Sequence, residues 1–111
     1  MKRHPSILIA SVVALLIVSL LAQAETDPKT QYNRMCALCH GQDGKAQTSM
    51  GKTVKAADLT SPTVQNQTDS QLYTAVAHGK GKMAAYEGIL GKQGVEAMVK
   101  YVRTTFGAKK K

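Results

Sequence analysis

Both cysteines of this chain lie in one pentapeptide, Cys36-Ala37-Leu38-Cys39-His40, and this constrains the fold more than any other feature. Cysteines three positions apart cannot tie distant segments together, so a disulfide framework is excluded. The chain has only 111 residues, and domains of about this size commonly need a staple, a metal or a cofactor to supplement a modest apolar core. The stabilising element must therefore be something other than cross-links.

The first 24 residues have the composition of an export signal. Lys2 and Arg3 precede an uncharged run over residues 6–22, and the small-residue pattern Ala22-Gln23-Ala24 predicts cleavage before Glu25. The uncharged stretch over residues 5–24 approaches the length of a membrane span, so a retained leader that anchors the protein stays an alternative. In both cases we expect the folded domain to lie in the periplasm, outside the cytoplasmic membrane.

Cleavage leaves 87 residues with few large side chains to form a centre. The chain has no Trp, one Phe and four Tyr. Thirteen basic and seven acidic residues remain, a net charge of +6, of which three charges belong to the basic tail over residues 109–111. We expect a bulky ligand to fill the interior, and mild attraction to anionic partners.

Three helices are predicted from caps and periodicity, and no strand alternation occurs. Asp27-Pro28 is a start signal for a helix that runs into the cysteine motif. A capping box at Thr68 and Gln71 predicts a helix over 69–78 that ends at Gly79. Apolar residues at helical spacing predict a last helix over about 92–105; they are Val95, Met98, Val99 and Val102.

The remaining stretches are predicted to be irregular. Residues 41–67 contain glycines, a proline and no sustained period, which indicates a long loop. A loop of that length is unusual in a compact domain unless it wraps a ligand. The glycine-rich segment 79–83 predicts a second loop, with Met83 at its end.

Cys-x-x-Cys-His is the pattern of covalent haem attachment. Cys36 and Cys39 are spaced to form thioether bonds with the two vinyl groups of one porphyrin, and His40 is placed to bind the iron. A redox-active dithiol and a zinc site are the competing interpretations. The zinc alternative is weaker, because the motif offers three ligands and the chain has no second cysteine pair.

The sixth iron ligand has four candidates in the mature chain: Met50, His78, Met83 and Met98. Met98 fits the apolar stripe of the last helix, Met50 could pack against a porphyrin from the long loop, and His78 ends a helix, where a surface role is common. Met83 is favoured because it follows two glycines in a loop able to wrap a haem and precedes Tyr86.

These motifs give a resemblance over essentially the whole mature chain. Cys36-Ala-Leu-Cys-His40-Gly41, Ala56-Ala57-Asp58-Leu59, His78-Gly79-Lys80-Gly81-Lys82-Met83 and Tyr101-Val102-Arg103 resemble a small bacterial class I cytochrome c with one haem. The resemblance implies an all-α, cytochrome c-like fold over residues 25–108, in which short helices surround one haem c and the first and last helices cross.

The resemblance also implies roles for individual residues. One haem c would be attached through Cys36 and Cys39, with His40 and Met83 as axial ligands on opposite faces. Leu59 and Tyr86 would line the haem crevice, and Tyr101 would pack near the helix crossing.

Two positions depart from the family pattern. Ala84 follows Met83 where the family often has proline, so the loop lacks one fixed backbone angle. The last helix commonly begins at a Ser, Thr or Asp cap, whereas glycine stands here.

The expected function is transfer of single electrons between redox proteins, without catalytic residues of its own. Lys45, Lys80 and Lys82 would surround the haem edge and steer a donor and an acceptor with acidic surfaces, or would simply be solvated. We expect a monomer that does not bind nucleic acid. The alternatives are a haem-based ligand sensor or weak peroxidase with a displaceable Met83, and the haem subunit of a larger exported oxidoreductase.

Overall fold

The computed structural model describes residues 5–25 and 27–108, with side chains over 5–19 and 27–108. Lys2, Arg3 and the lysine tail lie outside the described residues. Seven helices occur in the described part, which contains no strand beyond an isolated bridge between Lys80 and Met83. The helices are α1 (Pro5–Glu25), α2 (Pro28–Met35), α3 (Ala37–His40), α4 (Ser49–Val54), α5 (Pro62–Gln65), α6 (Asp69–His78) and α7 (Glu87–Phe106).

Helix α2 begins where the sequence predicts. The Asp27 carboxylate accepts a hydrogen bond from the Thr30 backbone N–H at 3.0 Å, and Pro28 occupies the first turn. The predicted continuous helix is interrupted at Cys36, which separates α2 from the four-residue α3. The motif therefore lies on a short helix of its own rather than on an extension of α2.

The prediction of a long loop over 41–67 is wrong in part, because α4 and α5 lie within it. Each has a side-chain cap: the Thr48 hydroxyl accepts from the Gly51 N–H at 2.9 Å, and the Ser61 hydroxyl accepts from the Val64 N–H at 3.4 Å. Helices of six and four residues are too short to produce the apolar periodicity on which the prediction relied.

Helix α6 matches its prediction at both ends. The backbone N–H of Thr68 donates to the Gln71 side chain at 2.9 Å, and the Gln71 N–H donates to the Thr68 hydroxyl at 3.1 Å, which completes the capping box. Gly79 ends the helix with φ 79°, a conformation that favours glycine.

Helix α7 starts earlier than predicted but contains a break. Gly91 has φ 68° and ψ 170°, so the turn that begins at Glu87 is separate from the long helical segment that follows. That segment begins at the predicted Lys92 and extends one residue beyond the predicted end, to Phe106. No side chain caps α7, in agreement with the missing cap signal.

The crossing of α2 with α7 forms the main core. Tyr32 and Met98 are each 1% exposed, and they pack with Val102 and Phe106. The Tyr101 ring lies 5.4 Å from that of Tyr32, between centroids, which confirms the implied packing at the crossing. A second apolar cluster joins α5, α6 and α7 through Val64, Leu72 and Val99.

Helix α1 carries exposed apolar side chains along residues 7–18. In the part of the chain that the structure describes, no helix has both the length and the apolar character needed to cross a membrane.

Candidate haem-binding site

The motif residues lie where α2 ends and α3 begins. Cys36 and Cys39 are free thiols, both partly exposed, on either side of the first turn of α3. His40 is the last residue of that helix. The spacing thus places the two thiols and the imidazole on one short, continuous piece of backbone.

The imidazole of His40 is oriented by a backbone carbonyl. Its Nδ1 lies 2.8 Å from the carbonyl oxygen of Ala57. A carbonyl can only accept a hydrogen bond, so Nδ1 is the donor, which leaves Nε2 as the nitrogen that can bind a metal in the neutral ring. A metal-binding histidine is commonly fixed in this way, with one ring nitrogen donating and the other free to bind.

A large apolar cavity opens between α5, α6, α7 and the loop before α7. Its volume is about 530 Å³, within the range of pockets that enclose small molecules and cofactors. Its apolar lining comes mainly from these residues: Val54, Leu59, Val64, Leu72, Val76, Val99 and Val102. Leu59, which the resemblance assigns to the haem crevice, is one of the residues that line this cavity.

A smaller cavity of about 150 Å³ adjoins the motif itself. Cys36, Cys39, His40 and Tyr86 are among its lining residues. It shares three lining residues with the large cavity: Val54, Lys82 and Met83. The two spaces are therefore neighbours, and Met83 is the one candidate sixth ligand that lines both.

The segment that carries Met83 is a tight turn fastened at both ends. The Lys80 N–H donates to the Met83 carbonyl at 3.2 Å, and the Met83 N–H donates to the Lys80 carbonyl at 2.9 Å. A Cβ on Gly79 would stand 2.5 Å from the Met83 carbonyl oxygen, so glycine allows the close approach. The Tyr86 hydroxyl donates to the Met35 carbonyl at 3.3 Å, which ties the end of the turn to α2.

The other three ligand candidates occupy different places. Met98 is buried in the core at the helix crossing. Met50 is 42% exposed on α4 and lines neither of the two cavities. His78 is exposed at the end of α6, with its Nε2 3.9 Å from a carboxylate oxygen of Glu87.

Lysines stand at the rim of the large cavity. Lys80 and Lys82 line it, as does Lys55, which the sequence did not single out. Lys45 is exposed but lines neither cavity, so it is not grouped with the other two predicted lysines. Lys55 has φ 56° at the C-terminus of α4, a left-handed conformation that a sequence reading has no means to detect.

Cys36 differs from the reactive thiol of a redox-active dithiol. Burial, and then the neighbouring Cys39, raise the pKa of the Cys36 thiol to about 11. Reactive Cys-x-x-Cys pairs instead hold one thiol at a lowered pKa. The described residues also contain no group of three or more His, Cys, Asp or Glu side chains placed to share a metal ion, which is the arrangement that a zinc site requires.

The side chains around the two cavities fit a haem. Two cysteines, one histidine and one methionine line the smaller cavity, and this donor set suits haem attachment and iron ligation. The lining of the large cavity is mostly apolar, which suits a porphyrin ring. Sequence reasoning missed Val54 and the Ala57 carbonyl: Val54 lay in the presumed loop, and a backbone carbonyl leaves no signal in residue type.

Fold and site together define a small c-type cytochrome, a haem protein. The family model for cytochrome c oxidase, cbb3-type, subunit III matches residues 23–102. The match covers more than half of the chain, so the chain belongs to this family.

A solved structure supports the same assignment. The KustC0563 c-type cytochrome superposes with a TM-score of 0.65 at 26% sequence identity, covering 71% of this chain and 96% of its own. A search of curated proteins found no match.

Proposed function

We propose that the protein carries single electrons between redox proteins through one haem c attached to Cys36 and Cys39, with His40 and Met83 as axial ligands. The observation that carries this proposal is that Met83 lines both cavities and shares the smaller one with Cys36, Cys39 and His40. When bound, the haem supplies an iron that accepts and releases one electron.

The chain's own residues tune that iron. The Ala57 carbonyl holds the His40 ring, which keeps one nitrogen available as a ligand. The thioether of Met83 raises the reduction potential relative to a second nitrogen ligand. The valines and leucines of the large cavity exclude water, and this limits rearrangement around the iron when its charge changes.

The lysines at the rim support docking of acidic partners. Lys55, Lys80 and Lys82 contribute three positive charges beside the large cavity, and such a cluster speeds encounter with a negatively charged surface. Electron transfer with an acidic partner should therefore slow as ionic strength rises, because salt screens these charges.

The proposed place of action is the periplasm. Residues 1–24 have the composition of an export signal, and covalent haem with an N-terminal leader fits a protein that functions outside the cytoplasm. Retention of the leader would leave residues 1–24 attached to the same domain. Mass spectrometry of the native N-terminus separates the two forms.

A pyridine haemochrome spectrum, paired with a redox titration, tests the proposal. We expect the bands of a haem joined by two thioethers and a single one-electron transition. Ferric protein should show the sulfur-to-iron charge-transfer band and should not bind cyanide promptly. Immediate cyanide binding would instead favour a ligand sensor or weak peroxidase, and a colourless protein with two free thiols would refute haem attachment.

A second candidate function is that of a haem subunit within a larger oxidoreductase. The family description names a subunit of an oxidase, which is the observation that favours it. Purification of the native protein in mild detergent tests this candidate: a stable complex with a catalytic subunit supports it, and a free monomer supports the independent carrier.

A further inference from the structure

The carbonyl groups of the motif helix α3 are not all satisfied by backbone. The last four carbonyls of any helix lack partners within it. Those of Ala37 and His40 accept backbone N–H groups from the residues that follow, each at 2.8 Å. Those of Leu38 and Cys39, immediately before the histidine, receive hydrogen bonds from a side chain instead.

That side chain is Thr48. Its hydroxyl lies 2.6 Å from the Leu38 carbonyl oxygen and 3.2 Å from the Cys39 carbonyl oxygen, and it donates its single proton towards both. The same oxygen accepts the Gly51 N–H at 2.9 Å. One hydroxyl therefore caps the N-terminus of α4 and the C-terminus of α3 together.

The packing of α4 against α3 leaves little freedom at this joint. A Cβ on Gly51 would collide with the carbonyl oxygen of Cys39 and would stand 2.8 Å from that of Ala46. Glycine is thus required by the close approach of the two backbones. Helix α4 is seated directly on the residue that precedes His40.

We propose that Thr48 is a positioning residue for the iron ligand His40. Its hydroxyl fixes the end of α3 by holding the two carbonyls before the histidine, while the Ala57 carbonyl fixes the ring itself. Together these bonds fix the orientation of the imidazole ring relative to α3. The inference rests on the proposed function, in which His40 binds the iron.

Proton NMR of the ferric holoprotein provides the readout, because the spread of the shifted haem methyl signals depends on the plane of the axial imidazole. Thr48→Val removes the donor and should change that spread. Thr48→Ser keeps the hydroxyl and should restore the native pattern. The matched control is Thr68→Val, which removes an equivalent helix cap on α6, away from the motif, and should leave the pattern unchanged.

Thr48→Asp separates the two roles of this side chain. Aspartate accepts the Gly51 N–H and so keeps the cap of α4, but an ionised carboxylate cannot donate to the carbonyls of α3. For Thr48→Asp we expect the same change in the haem methyl signals as for Thr48→Val, or a loss of covalent haem. The control Thr68→Asp should show neither effect. Native patterns in both Thr48→Val and Thr48→Asp would overturn the proposal. The haemochrome test of the unaltered protein is independent of these variants, so the two failures are distinguishable.

Discussion

At the scale of single residues, Met83 offers the most direct test of the proposed ligation. Met83→Ala removes the thioether without touching the motif, so covalent haem should remain. The reduction potential should fall by on the order of 0.1 V, a fraction of the roughly 0.8 V that axial ligands span. Redox titration and cyanide binding to the ferric protein measure both effects.

Met50→Ala is the control for that substitution. Met50 is exposed on α4 and lines neither cavity, so its loss should leave the potential and the cyanide response unchanged. A native potential and spectrum in Met83→Ala would reject Met83 as the ligand.

Tyr32 links Gly41, the residue after α3, to the core, and it makes the stability of the fold depend on alkaline pH. Its hydroxyl donates to the Gly41 carbonyl at 2.7 Å, and burial is the main cause that raises its pKa above the ordinary value of 10.0. The folded protein keeps the proton where the unfolded chain loses it. Stability is therefore complete below pH 10 and falls above it, by at most about 1.4 kcal/mol per pH unit for this group.

Tyr32→Phe should reduce that alkaline loss. Near pH 7 the variant should be less stable by about 0.5–1.5 kcal/mol, because one buried hydrogen bond is removed. Denaturant unfolding at several values between pH 8 and pH 11 measures both quantities. If the free energy of unfolding of Tyr32→Phe falls with pH as steeply as that of the native protein, then the Tyr32 hydroxyl ionises as readily in the folded protein as in the unfolded chain.

At the scale of elements, Arg103 joins α7 to the end of α5, to the segment that follows it and to the start of α6. Its guanidinium donates to the carbonyls of Gln65 and Gln67 and to the Asp69 carboxylate, the last at 2.8 Å. Arg103→Met keeps much of the side-chain volume but leaves both carbonyls without this donor. We expect a loss of about 1–3 kcal/mol in the free energy of unfolding, measured by denaturant titration.

Asp69→Asn separates the ion pair from the backbone contacts. The Asp69 side chain is 78% exposed, and an exposed ion pair contributes at most about 1 kcal/mol. We expect a much smaller loss than in Arg103→Met. Equal losses in the two variants would mean that the ion pair, rather than the carbonyl contacts, fastens α7.

The elements also show where sequence reasoning succeeds. Helix α6 is predictable in full because a capping box and a glycine mark its two ends chemically. Helices α4 and α5 are not predicted because apolar periodicity is detectable only over a longer segment, although Thr48 and Ser61 are cap residues. The start of α7 at Glu87 is not predicted because no side-chain cap precedes it and Gly91 interrupts the helical spacing of the apolar residues.

The candidate site divides in the same way. Cys36, Cys39 and His40 form a contiguous motif whose residue types indicate its chemistry, and the glycine-rich loop favours Met83 among the four candidates for the sixth ligand. The contact of the Ala57 carbonyl with His40, and the contacts of Thr48 with α3, form only when segments separated in sequence pack together. No local sequence pattern encodes such contacts, so they become visible only in the folded structure.

At the scale of the whole molecule, the cavity predicts dependence of the fold on its cofactor. The two apolar clusters are small, and a space of about 530 Å³ borders both through Leu59, Val64, Leu72, Val99 and Val102. Cys36→Ala with Cys39→Ala should abolish covalent haem and most cooperative structure. Circular dichroism during thermal unfolding measures the loss, and a sharp transition in the colourless variant would contradict the prediction.

The meeting of α2 with α7 makes the core depend on two segments that lie far apart along the chain. Tyr32 belongs to α2, and Phe106, whose ring centroid lies 5.2 Å away, is the last residue of α7. A contact between such distant segments closes a long loop, and this closure costs chain entropy before the packing can offset it. A fragment without α7 leaves Tyr32 without its packing partners, so the domain forms only when both helices are present together.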